Sequence, residues 1–211
     1  NSFPKLHNVL ENKIWHKLIK FNSLNQFLDQ EKTIYFHNAP RYWIRAMNFI
    51  PYFWNEKDGE KISSQVKSIS LKTDLDDLTL VAILNSCLFY WWFILLSDCR
   101  HLNSREINNF PVGLDKMSNS FKAKLAKLAQ DLMIDLQDNS VRKNCNYKAT
   151  GKVIYDEYYP KYSKSIIDKI DQLLAEHYGL TEEELDFIIN YEIKYRMGKE
   201  LEEDEKKLLK I

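Results

Sequence analysis

The chain has 211 residues, with 30 Lys/Arg balanced by 30 Asp/Glu, and is 45% hydrophobic, 28% charged and 13% aromatic. This is globular composition; it excludes a disordered polyelectrolyte, a collagen and a disulfide-framed miniprotein, and the length suffices for one large domain or two small ones with a buried core. Only 5 Gly and 5 Pro argue against a loop-built fold, and Cys87, Cys99 and Cys145, with no Cys-x-x-Cys pair, read as free thiols in a reducing, cytoplasmic setting.

In chain order, Leu6, Val9, Leu10, Ile14 and Leu18 recur at helical spacing, and Leu24, Phe27 and Leu28 repeat the pattern, so residues 5–32 read as helical in pieces. Residues 33–54 change character. Aromatic and β-branched side chains crowd around Asn38-Ala39-Pro40, which predicts short strands and loops. The polar run 55–61 contains Asp58-Gly59 and fits a hairpin turn. Residues 62–73 suit an exposed strand carrying Lys67 and Lys72. The acids of residues 74–77 then precede Leu78–Leu96, a run of 19 residues without charge. Its length is that of a membrane span. Asn85 and Ser86 near its middle, and acids at one end, argue instead for one buried core helix, with no membrane partner.

Residues 98–113 form a polar segment closing on Phe110-Pro111. Residues 118–138 predict an amphipathic helix with Phe121, Leu125, Leu128 and Leu132 on one face. Residues 139–165 read as irregular, polar and tyrosine-rich. A second amphipathic helix is predicted over 165–178, with Gly179 as its C-cap, and Thr181 with Glu184 forms a capping box that opens another. The charged end from Met197 is expected to fray.

Charge is uneven. Residues 1–175 hold 24 Lys/Arg and 19 Asp/Glu, a net of +5, whereas residues 176–211 hold 6 and 11, a net of −5. The acidic stretch 182–205 is expected to face away from a polyanion or to touch another domain. The chain opens Asn1-Ser2-Phe3-Pro4, with no starting Met and no leader pattern, and reads as a piece of a longer polypeptide.

Catalytic motifs are missing. There is no GxGxxG, Walker-type loop, GxSxG or HExxH. The five His are scattered, and Cys99 with His101 supplies two ligands, too few for a zinc site, so no metal is expected. Glu-x-Lys pairs at Glu11/Lys13, Glu192/Lys194 and Glu205/Lys207 lie in helical patterns rather than on the strands a metal-dependent nuclease needs. What remains is binding chemistry. Arg41-Tyr42-Trp43-Ile44-Arg45 interleaves guanidinium groups with rings; Arg can fork onto guanine, and a ring can stack on a base or wedge into a duplex. The alternative is that Tyr42 and Trp43 are core with the arginines opposite.

Three segments in order, TIYFHNAPRYWIRAMNFIPYF, LVAILNSCLFYWWFILLSDCRHLNSREINNFPVG and AEHYGLTEEELDFII, resemble the C-terminal target-recognition region of bacterial type IIG restriction–modification enzymes, which are DNA adenine-N6 methyltransferases. Leu84-Asn85-Ser86, Phe110-Pro111 and Tyr178-Gly179-Leu180-Thr181-x-x-Glu184 carry the likeness, which runs from about residue 33 to 190. The resemblance implies a preceding catalytic domain that binds S-adenosylmethionine and bears an Asn-Pro-Pro-Tyr-type motif. Neither that motif nor a cofactor motif occurs here, so this chain is expected to be non-catalytic, to hold no cofactor, and to dock duplex DNA so that the adenine flips into a pocket of the catalytic domain. Arg41, Tyr42, Arg45, Lys57, Lys61, Arg100, His101, Asn103 and Arg105 are the DNA-contact candidates, and Lys67 and Lys72 read as phosphate contacts or plain surface. A specificity subunit of a multi-subunit restriction system and a protein-interaction module built on residues 78–96 are the competing readings. The expected fold is α+β, helix-dominated, with a small mixed sheet; residues 1–113 would form the recognition region and 114–211 a helical region packed on it.

Overall fold

The computed structural model describes residues 3–40, 42–72, 76–148 and 151–191. Within them the fold is α+β, with seven α-helices and two small antiparallel sheets. The helices are α1 (Val9–Leu18), α2 (Asp77–Leu84), α3 (Cys87–Leu96), α4 (Ser104–Asn108), α5 (Asn119–Asp138), α6 (Lys164–Tyr178) and α7 (Glu182–Asn190). The strands are β1 (Leu28–His37), β2 (Ala46–Met47), β3 (Phe53–Asn55), β4 (Gly59–Glu60), β5 (Val66–Leu71), β6 (Val141–Tyr147) and β7 (Gly151–Glu157). One sheet has the order β2-β1-β5 and the other β4-β3-β7-β6. The second draws two strands from before residue 113 and two from after it.

The apolar run that predicts a single helix is two. α2 and α3 meet at 64°, broken at Asn85–Ser86. Asn85 Nδ2 donates to Val81 O (2.7 Å) and to Ala46 O (2.8 Å), and Oδ1 accepts from Ala46 N (3.2 Å). One amide thus ends α2 and holds β2 against it. Ser86 Oγ accepts from Phe89 N (3.0 Å) and donates to Ile83 O (2.6 Å), capping the new helix. Asp171 of α6 then takes the first N–H groups of α3, from Cys87 (2.9 Å) and Leu88 (3.0 Å). Three polar side chains together satisfy backbone groups that a break in the middle of the core would otherwise strand. No single helix among the described residues is long and apolar enough to cross a membrane; the bent pair has the length and composition, and nearly all of it is buried.

The rest of the helical layer closes on α3. Trp92 stacks on Trp15 at 5.0 Å and meets Phe110 edge-on at 5.6 Å, while Phe89 meets Phe110 at 5.1 Å. The Phe110-Pro111 segment is pinned from both sides. Leu24 N donates to Phe110 O (2.9 Å), and the buried Tyr178 hydroxyl donates to Pro111 O (2.9 Å). α5 buries Leu125, Ala129, Leu132, Met133 and Leu136 against α2 and α6. α6 ends at Gly179, whose φ of 65° is left-handed, with Leu180 N returning to Ala175 O (2.9 Å). Thr181 and Glu184 form the capping box of α7, and Glu184 also pairs with Lys17 at 2.6 Å.

Two further elements differ from expectation. β1 begins at Leu28, inside the stretch read as helical; Leu28 and Lys32 both oppose Leu71, an irregularity that lets the strand start early. β6 and β7 pair antiparallel within the stretch expected to be irregular. The β3–β4 hairpin turns where Asp58-Gly59 placed it, with Gly59 at φ 76° and Asn55 Oδ1 accepting from Asp58 N (2.6 Å).

Candidate nucleic-acid interface

Three loops far apart in sequence meet at Asn38. Its N–H donates to Gln65 O (2.8 Å), and its carbonyl accepts from Leu102 N (2.9 Å). The loop after β1, the segment between β4 and β5, and the segment after α3 are thereby stitched together by main-chain bonds. Beside this junction lies an open cleft of about 660 Å³ lined by Tyr35, Ile62, Lys67, Asn103, Ser104 and Arg105 among others. Its lining mixes apolar side chains with two cations, Lys67 and Arg105, and four polar side chains, Asn38, Ser68, Asn103 and Ser104.

The sequence-derived candidates distribute around this cleft unevenly. Asn103 and Arg105 line it. Asn103 N donates to Glu106 Oε2 (3.0 Å) and its Nδ2 to His101 O (3.2 Å). The Arg105 guanidinium is held by buried Glu106 (2.6 and 2.9 Å) and by Leu96 O (3.2 Å), yet its side chain stays 57% exposed. It is oriented by a fixed carboxylate and still open to a ligand. Arg100 and His101 precede it on a turn organised by Asp98, whose Oδ1 accepts both of their N–H groups (2.9 and 3.0 Å). Those bonds, from His101 and then Arg100, hold the Asp98 carboxyl below its usual range. Lys57 and Lys61 stand exposed on the β3–β4 hairpin, with Lys61 paired to Asp58, and Ile62 leads from there into the cleft. Lys67, which reads as a phosphate contact or surface, lines the cleft, while Lys72, just past the other end of β5, donates to Gln26 O (2.8 Å).

The aromatic–arginine segment divides. Arg41 lies outside the described residues. Tyr42 is 49% exposed, whereas Ile44 is buried. Arg45 points inward: its guanidinium lies over the Tyr158 ring at 4.9 Å, and its buried Nε has no hydrogen-bond partner among the described residues. Burial lowers its pKa against the opposing pull of Tyr158 and Glu157. Arg45 links the approach to β2 with the chain leaving β7, a bracing position. It also acts on His37, which burial and then the Arg45 charge push down to about 4, against hydrogen bonds from Gln65 and Ala39. His37 is therefore neutral near pH 7 and accepts from Ala39 N at Nδ1 (3.3 Å).

What sequence reading missed is the junction itself. Asn38 reads as a turn residue, and nothing in its neighbours signals Gln65 or Leu102. A group of potential metal ligands, Cys87, Asp168 and Asp171, was also not anticipated. Asp171 is already committed to the N-terminus of α3 and Asp168 pairs with Lys164, so the group is accounted for by the scaffold. Of the Glu-x-Lys pairs, Glu11 is buried and bonded to His7 N (2.6 Å), and the other two lie outside the described residues. Compared with protein-family models, curated proteins and solved structures, the chain finds no match in any of the three.

Proposed function

We propose that this chain is a sequence-reading duplex-DNA module, the target-recognition part of a DNA adenine-N6 methyltransferase whose catalytic, S-adenosylmethionine-binding domain is a separate part of the parent enzyme. The observation that carries the reading is the convergence at Asn38: Lys67, Asn103 and Arg105 line the cleft beside it, and Lys61 and His101 directly adjoin its lining residues Ile62 and Leu102 in the chain. A recognition domain needs this arrangement, variable cationic and amide-bearing loops on a rigid support. Lys67 and Arg100, both exposed, fit phosphate contacts; the Glu106-held Arg105 fits a directed contact to a base edge or a phosphate.

The test is duplex binding by the full chain and by Lys67→Ala, Arg100→Ala and their double variant. Two phosphate contacts removed should weaken binding by a similar factor on every sequence and reduce the salt slope by about 2. Unchanged affinity in the double variant contradicts the placement of the interface at this cleft.

A further inference from the structure

The β6–β7 hairpin offers a second surface that the loops do not explain. In an antiparallel pair, directly opposed residues project to the same face. The register pairs Arg142 with Asp156, Asn144 with Ile154, and Asn146 with Lys152, and Ile154 in turn pairs with Trp54 of β3. Arg142, Asn144, Asn146 and Lys152 are all exposed on that face, around the half-buried Ile154 and Trp54. The side-chain amides of Asn144 and Asn146 make no hydrogen bond among the described residues. Arg142 is held rigid: it forks onto Asp156 (2.5 and 3.1 Å) and lies over the Tyr52 ring at 3.8 Å. β6 is the edge strand of its sheet, so nothing pairs beyond it among the described residues.

The charge of this region is distinct from that of the whole. Residues 139–163 contain five Lys/Arg (142, 143, 148, 152, 161) and two Asp/Glu (156, 157), a net of +3 in a chain whose total is zero. Both acids are engaged, Asp156 by Arg142 and Glu157 by Lys143 at 3.2 Å. Glu60, across Trp54, sits at the opposite edge on β4. The hairpin's free end, with Lys148 and Lys152, adjoins the β3–β4 hairpin through Glu56 N to Lys152 O (2.9 Å), and that hairpin leads on into the cleft. The two hairpins are thus in contact at this end, where Glu56 Oε2 also accepts from Lys152 N (3.0 Å).

We propose that the β6–β7 hairpin enters the major groove of the bound duplex and that Asn144 and Asn146 contact base edges there. The proposal rests on the DNA-reading function proposed above and adds to it the element and the residues that read. A two-stranded ribbon fits the major groove, and an Asn amide matches the N6/N7 edge of adenine. Two residues along a strand advance about 6.8 Å, the rise of about two base pairs, so Asn144 and Asn146 match alternate steps. Lys148 and Lys152 would meet the flanking phosphates.

The test selects preferred sites from a randomised duplex library with the full chain and with Asn144→Ala/Asn146→Ala, and measures affinity for the selected and for random duplexes. Asn144→Ser/Asn146→Ser, a polar truncation at the same exposed positions, serves if the alanine pair melts early. The expected result is relaxed preference at two positions and about a tenfold loss on the selected site, with random-duplex affinity unchanged. An unaltered motif and affinity in the double variant overturn the hairpin as reader while leaving the DNA-binding function standing. Binding of the wild type to duplex without any sequence preference also overturns it. No binding to any duplex, or binding to single strands alone, removes the DNA-reading function and this inference with it.

Discussion

A single amide decides the geometry of the core. Asn85 is 1% exposed and bonds Ala46 through both its N–H and its carbonyl. Asn85→Ala leaves two buried main-chain groups of β2 without partners, a cost of about 3 kcal/mol. Urea unfolding should show a lowered midpoint with an unchanged slope; a midpoint within error of the wild type would mean that water replaces the amide. His37 gives a pH signature. Its folded pKa, about 4, lies below the ordinary histidine value of about 6.5. The unfolded chain therefore binds the extra proton between those values, so this group's stabilising contribution is complete above about pH 6.5 and is lost as pH falls towards 4. His37→Gln, which cannot charge, should flatten the stability profile over that window. A variant profile parallel to the wild type would show that His37 titrates normally.

At the scale of elements, what could be read from sequence is what local chemistry encodes. The helix predicted over 118–138 is α5, and the one over 165–178 is α6, because each has a polar face opposite its apolar stripe. Gly179 closes α6 because it accepts a left-handed φ, and the Thr181–Glu184 side chains open α7. The break between α2 and α3 was not legible. An apolar run buried on all sides has no period to interrupt, and the break is fixed by Ala46, 39 residues away. The β6–β7 hairpin was hidden because its outer strand alternates only weakly: Val141, Cys145 and Tyr147 share a face with Lys143, opposite Arg142, Asn144 and Asn146, and its position depends on pairing of β7 with β3. The break makes a prediction of its own. Asp171→Ala strips the carboxylate from the start of α3 and should destabilise by about 1–3 kcal/mol, whereas Asp171→Asn, which retains one acceptor, should lose less. Equal losses from the two would show that the negative charge, rather than acceptor geometry, holds the helix end.

For the whole molecule, the Asn85-Ser86, Phe110-Pro111 and Thr181–Glu184 motifs all belong to the scaffold. Asn85 and Ser86 shape the helix break, Phe110 and Pro111 are clamped beneath Tyr178, and Thr181 with Glu184 caps α7. They would place a recognition surface without touching DNA themselves. Of the contact candidates, Asn103 and Arg105 lie elsewhere, in the cleft beside Asn38. Why three loops converge at Asn38 could not be read from sequence, since the stitching uses main-chain groups that every residue possesses. Arg45 illustrates the same limit: sequence shows an arginine among aromatics, and only the fold reveals that it lies over Tyr158.

The central claim, that this molecule binds duplex DNA through cationic loops, is tested most directly by measuring the affinity of the 211-residue chain for a duplex across a salt series. The expected result is an affinity whose logarithm falls linearly with the logarithm of salt, with a slope corresponding to several released counterions. No binding at the lowest salt, or binding indifferent to salt, would contradict it.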